Sequence, residues 1–184
     1  MNTYFIKNMV CDRCILTVSR LFKKFDIKHI KLGEVRISKN IPKSHEKFII
    51  EDLKKIGFEI LTSKNKILVN KIKSIIIELI NNPNELGLEI KKTLENQLNL
   101  TYSNLNKIFK DQEKLTINKY FFIQKINKAK ELLSYNELSV KEVAFIVGFN
   151  SVAHFSRSFK NLCGQSPKSY QINPNDRLPI DKLN

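Results

Sequence analysis

"EVAFIVGFNSVAHFSRSFK", residues 142–160, holds two short apolar stripes broken by one glycine, and how those stripes pack decides the fold. Just upstream, Ser139 and Glu142 stand three positions apart, the spacing of a capping box. There the hydroxyl accepts from one orphan amide while the carboxylate answers another, a cap typically worth about 1 kcal/mol. A helix is therefore predicted to start at Ser139, with Val140, Val143, Ala144 and Val147 on its inner stripe. Gly148 stands where a helix stops on a left-handed residue, which leaves Phe149 to pack back. Ser151 then caps a second helix whose stripe is Phe155, Phe159 and Leu162. Helices this short hold only when packed, and a glycine-stopped helix followed at once by another is the helix-turn-helix plan.

With that stripe turned inward, the second helix presents Ser151, Ala153, His154, Ser156 and Arg157 outward, with Lys160 one turn on. A small residue allows close backbone approach, and Arg can bond a guanine bidentately. His or Ser can bond a base edge or a phosphate, and Lys a phosphate. Such a face fits a major groove. Spacing alone also permits an ordinary helical hairpin with a polar surface.

Outward from this pair, residues 66–173 read as helical throughout. "ILVNKIKSIIIELI" (67–80), "LGLEIKKTLENQLN" (86–99), "TYSNLNKIFKDQ" (101–112) and the long "TINKYFFIQKINKAKELLSY" (116–135) precede it, and a short helix beginning "SPKSY" follows. Residues 1–65 mix periods. A strand in "TYFIKNMV", a helix in "CILTVSRLFKKF", strand character in "IKHIKLGEVRI", a helix in "EKFIIEDLKKIGFEIL" stopped by Gly57, and a last strand from Phe58 place two helices on one face of a small sheet. Only "TSKNK" separates the halves, and residues 174–184 are expected to form a flexible tail.

The 184 residues are 42% apolar, enough for real cores. No stretch of eighteen apolar residues is present and the first residues lack an export signal, so a cytoplasmic protein without a membrane partner is expected. The formal charge of +14 favours a polyanionic partner. Both halves are basic, however, so charge does not say which of them would touch it. Three cysteines do not make a disulfide framework. No Ser-His-Asp arrangement, phosphate-cradling glycine loop or H-E-x-x-H appears, and no enzyme is expected.

"SVKEVAFIVGFNSVAHFSRSFKNLCGQSPKSYQ" (139–171) resembles the carboxy-terminal signature of the AraC family of transcription regulators. Val143-Ala144, Gly148-Phe149, Ser151, Phe155-Ser156-Arg157, Phe159-Lys160, Gly164, Ser166-Pro167 and Tyr170 all fall in register. The resemblance implies seven helices with two helix-turn-helix units on a joining helix, which "YFFIQKINKAKELL" supplies with Lys125 where Arg is usual. It implies that "LEIKKTLENQLNLTYSNLNKIFKDQEKLT" (88–116) is the first unit, with Thr101 as cap and Ser103, Asn104, Asn106 and Lys107 exposed toward DNA. Three residues depart from the pattern: Glu95 stands where a small Ala lets the helices touch, Asn99 where Gly turns the chain, and Lys114 where Gly closes the helix. Two recognition helices so joined would meet successive major grooves about 34 Å apart.

"KNMVCDRC" places Cys11 and Cys14 between a strand and a helix, so both sulfurs can face one point near a helix N-terminus. Two thiolates suit Cu(I) or Zn(II), and a redox switch or an inert pair fits the same spacing. Met9-x-Cys-x-x-Cys and "IGFEI" resemble heavy-metal-associated domains, which implies a ferredoxin-like βαββαβ fold for residues 1–65. Asn8 replaces their usual Gly. "IKHIKLGEVRI" is short for two strands, so either the turn at Gly33 is very tight or one strand is lost. His29 and His45 belong to no motif.

The expected architecture is thus α+β, a small ferredoxin-like domain followed by an all-α seven-helix domain with two helix-turn-helix units. The expected function is a sequence-specific regulator that binds double-stranded DNA, its amino-terminal half sensing a ligand such as a soft metal ion or forming a homodimer. No cofactor is required. The alternative is a metal-trafficking or buffering protein whose helical half docks a partner.

Overall fold

A computed structural model of the chain describes residues 2–38, 40–82 and 89–173. The expected tail, 174–184, lies outside them. The chain divides into two compact units, one ending at Ile75 and the other beginning at Ile76.

In the first unit four strands, β1 (Asn2–Lys7), β2 (Ile27–Lys31), β3 (Glu34–Ile37) and β4 (Glu59–Leu61), pair antiparallel in the order β2-β3-β1-β4. Helices α1 (Asp12–Phe22) and α2 (Lys43–Lys55) alternate with them to complete the βαββαβ pattern of a ferredoxin-like fold. Period-2 alternation in β1 sends Ile6 to the helix side, where it is fully buried with Val18, Phe22, Val35, Ile37 and Leu53. The register Tyr4↔Val35 puts Tyr4 on the same face, its ring 5.9 Å from that of Phe22.

The β2–β3 connection is the tight alternative. Leu32 and Gly33 alone turn the chain, and Gly33 sits at φ +74. A Cβ there would lie 2.5 Å from the Asn70 amide nitrogen and 2.7 Å from the Ser74 hydroxyl, so both the backbone and the space demand glycine. Those neighbours belong to a third helix, α3 (Lys64–Asn81). Buried Asn70 donates to the carbonyls of Ile6 at 3.2 Å and Gly33 at 3.4 Å, while the Lys71 ammonium lies 4.9 Å from the centre of the Phe5 ring. The first turns of α3 are therefore part of the amino-terminal unit. Sequence periodicity assigns the whole helix to the carboxy-terminal domain, because the apolar stripe does not change character at Ile75.

From Ile76 the second unit is helical among the described residues. After α3 come α4 (Ile90–Leu98), α5 (Tyr102–Glu113), α6 (Ile117–Tyr135), α7 (Val140–Ile146), α8 (Val152–Cys163) and α9 (Pro167–Ile172). Hydroxyls of Thr116, Ser139, Ser151 and Ser166 each accept from the backbone amide three residues on, fixing where α6, α7, α8 and α9 begin. Ile126, Ala129 and Leu133 of α6 meet Val143, Ala144, Val147, Phe155 and Phe159 in one fully buried core. The rings of Phe149, Phe155, Phe159 and Tyr170 follow one another through it at 5.3 to 5.7 Å.

Two helix ends allow a clean test of backbone strain. Gly164 closes α8 at φ +77 with no atom within 4 Å of a Cβ, and Lys114 closes α5 at φ +61. Gly164→Ala should therefore cost about 1 kcal/mol and Lys114→Gly recover about as much. Denaturant titration of each variant checks the opposite signs.

Candidate nucleic-acid interface

The turn between α7 and α8 is built as a local stop. The Phe149 amide donates to the Ala144 carbonyl at 2.9 Å and the Gly148 amide to Phe145 at 2.9 Å, with Gly148 at φ +73. This is the six-to-one closure that leaves the next ring pointing home, and Phe149 is 5% exposed. The capping box is complete: the Ser139 amide donates to Glu142 at 2.8 Å and the Glu142 amide to the Ser139 hydroxyl at 3.2 Å. These hydrogen bonds hold the Glu142 carboxyl below its usual range.

Lys125, on α6, ties the turn down from behind. Its ammonium donates to the Gly148 carbonyl at 2.7 Å and lies 4.7 Å from the centre of the Phe149 ring. Burial lowers its pKa. The Phe149 ring also meets the His154 ring edge-on at 5.3 Å, so His154 is braced by an aromatic contact while staying exposed.

Ser151, Ala153, His154, Arg157 and Lys160 are exposed, and Ser156 is half-buried. Ala153, His154 and Arg157 share one face by helical spacing, opposite the buried Phe155 and Phe159. The inner stripe ends differently from expectation. Leu162 is 39% exposed, and Cys163 is the residue that packs against the core. Helical spacing explains this: Cys163 follows Phe159 by four and continues the line of Val152, Phe155 and Phe159.

The other helix pair, α4 and α5, is organised by polar contacts the sequence conceals. Asn99 turns the chain at φ +52 in place of glycine. Thr101 has the extended backbone of a cap, but its hydroxyl does not cap. The carboxylate of Glu95 substitutes, accepting from the Tyr102 amide at 2.6 Å. The Tyr102 hydroxyl, its pKa raised by burial, donates to Asn118 of α6 at 2.8 Å. Asn106 differs from the expected exposed face: it is half-buried, and its side-chain oxygen accepts from the Ile117 amide at 2.9 Å, the first N–H of α6. Ser103, Asn104 and Lys107 are exposed.

The two pairs repeat at an interval of fifty positions. From 101 and from 151 the same order of exposed, half-buried and buried residues runs through ten positions, and both helices close on left-handed residues, Lys114 and Gly164. Thr101/Ser151, Phe109/Phe159, Lys110/Lys160 and Tyr120/Tyr170 are the matching or near-matching identities that could have revealed it.

In the first unit Cys11 is the residue just before α1, and its Sγ lies 3.3 Å from that of Cys14. Both cysteines are free and half-buried. Burial pushes the Cys11 thiol up, but hydrogen bonds from Cys14 and Arg13 outweigh it and leave the thiol lowered. Burial raises Cys14, and the neighbouring Cys11 adds to that. Asn8 adopts φ +71, the conformation that favours Gly there, and its amide donates to the Gly57 carbonyl at 2.8 Å. Met9 beside it is 2% exposed. Among the described residues no three His, Cys, Asp or Glu side chains come together to hold a metal ion. His45 stacks edge-on with Phe25 at 6.4 Å. Among the described residues no helix is long and apolar enough to cross a membrane.

Residues 94–172 match a family described as a helix-turn-helix domain. The chain is 36% identical over 75 residues to the Msm operon regulatory protein of Streptococcus mutans, covering 41% of this chain and 27% of that protein. It is 34% identical over 76 residues to the xylose operon regulatory protein of Haemophilus influenzae, covering 41% and 20%. The chain thus spans about a quarter or less of the length of these curated relatives. A solved structure of a transcriptional regulator from Chromobacterium violaceum, described as an AraC-type DNA-binding domain-containing protein, superposes with a TM-score of 0.54 at 19% identity, covering 64% of this chain and all of that one. The carboxy-terminal domain of AraT, a response regulator from Geobacillus stearothermophilus, gives 0.51 at 22% identity, covering 65% and 99%. At these identities the superpositions establish the fold.

Proposed function

We propose that this chain is a sequence-specific DNA-binding transcription regulator of the AraC type, a reading supported by the match of residues 94–172 to a family of helix-turn-helix domains. The observation that carries this reading is the exposed face of α8, where Ala153, His154 and Arg157 stand together on a helix pinned from beneath by Phe155 and Phe159. Arg157 is assigned to a base edge, Lys160 and Ser151 to phosphate, and His154 and Ser156 to either. Ser103, Asn104 and Lys107 of α5 take the equivalent places in a second groove. Asn106 keeps only its NH2 group for that purpose, since its oxygen holds α6. The α6 helix of 19 residues, about 28 Å long, is a rigid spacer of the right order for adjacent major grooves.

The amino-terminal unit is assigned to sensing or dimerisation. Its half-buried sulfur pair supports a soft ion as the sensed species. Two thiolates are too few for a structural zinc site, which uses four protein donors, and are better matched to Cu(I). If such an ion alters DNA affinity, DNA must alter ion affinity by the same factor. The same pair supports the alternative, a metal carrier with a partner-docking helical half.

Duplex binding by the full chain separates the two. A regulator retains one genomic fragment against excess random DNA at physiological salt, with affinity falling steeply as salt rises. A carrier binds neither.

A further inference from the structure

The repeat at fifty positions makes the differences between its halves informative. Among the Ser and Thr residues that begin described helices in the second unit, Thr101 is the one whose hydroxyl does not cap. At the matching place in the other half, the neutral Ser151 hydroxyl accepts from the His154 amide at 3.0 Å. At α5 the cap comes instead from the support helix as a full negative charge, the half-buried Glu95 carboxylate 2.6 Å from the Tyr102 nitrogen. The start of a helix carries roughly +0.5 of an elementary charge and favours phosphate. A neutral cap leaves that partial charge in place. A carboxylate exceeds it and reverses its sign.

We propose that Glu95 sets the strength of duplex binding by the first helix-turn-helix pair: seated on the leading N–H of α5, its carboxylate turns a helix end that would attract phosphate into one that repels it. The inference rests on the DNA-binding reading and deepens it. The two halves then have unequal tasks. The α8 half supplies most of the affinity, while the α5 half engages through the flank of Asn104 and Lys107 and is held back from indiscriminate backbone binding. Glu95 is a positioning and affinity-setting residue here, acting on the helix end and through the field it casts on nearby phosphate.

The test is Glu95→Gln in the full chain, since Gln keeps the accepting oxygen and removes the charge. Binding of a random-sequence duplex is followed by fluorescence anisotropy across a salt series, with thermal melting as the check on folding. Affinity for random DNA at about 0.1 M salt is expected to rise roughly three- to tenfold, and the salt dependence to steepen. Glu95→Ala is the second variant. It loses the cap and should melt earlier, yet bind random DNA more tightly. A folded Gln or Ala variant with unchanged or weaker binding overturns the proposal. An unaltered chain that binds no DNA at any salt overturns the DNA reading itself, and this inference with it.

Discussion

Arg157→Ala is expected to lower affinity for the cognate duplex about 5- to 150-fold, while affinity for random DNA falls only about threefold. A bidentate arginine on a guanine discriminates by roughly 1–3 kcal/mol, and a phosphate contact carries no sequence information. The geometry supports a base-reading task for Arg157. It is exposed one turn beyond Ala153, whose methyl allows the helix backbone close to a groove floor. Phe155 and Phe159, both fully buried on either side of it in sequence, fix the helix rotation. Lys160→Ala serves as the contrast, with equal losses on cognate and random DNA and a salt slope reduced by about one. Competition binding with both duplexes checks the pair. Equal losses for Arg157→Ala would mean that this side chain meets only phosphate.

The second large effect is expected at the sulfur pair. The full chain should bind about one Cu(I), and the Cys11→Ser, Cys14→Ser double variant should bind none, because the two thiolates are the charged soft donors of the loop and the Met9 thioether beside them is buried. The lowered Cys11 thiol makes the required deprotonation easier there than at an ordinary cysteine. Affinity should consequently weaken as pH falls and protons compete for sulfur. Metal titration with a competing Cu(I) chelator gives the stoichiometry. Unchanged stoichiometry in the double variant would remove the pair from any metal role, and with it the ion-sensing reading of the first unit.

Local signals were the legible ones. The capping box of Ser139 and Glu142, the stop at Gly148 and the return of Phe149 are all formed by residues within a few positions of each other, so sequence spacing alone carries them. The strand order of the first unit was legible only through the resemblance, since pairing is non-local. The tight β2–β3 turn is not decided by the sequence, because eleven residues can be read as one long strand or as two short ones. The helix α3 shows what periodicity cannot tell. Its stripe predicts a buried face but not the unit against which each turn is buried, and the decisive residues are the polar Asn70 and Ser74.

The candidate site divides along the same line. Exposure of His154, Arg157 and Lys107 follows from helical spacing. The half-burial of Asn106 does not, because its partner is the backbone of Ile117, eleven residues away on another helix. Glu95 is the sharper case. By pattern it is an obstruction where a small residue belongs, and in the structure it supplies the cap that Thr101 fails to give. Side chains that serve a neighbouring element's backbone are invisible to a reading made one element at a time.

If α8 and α5 together face one side of a duplex, hydroxyl-radical and methylation footprinting of the full chain on its selected operator will show it. Two protected major-groove segments about one helical turn apart on the same face of the DNA are expected, the one assigned to α8 losing base protection in the Arg157→Ala variant. Protection that is absent, or confined to a minor groove and indifferent to Arg157, would contradict it.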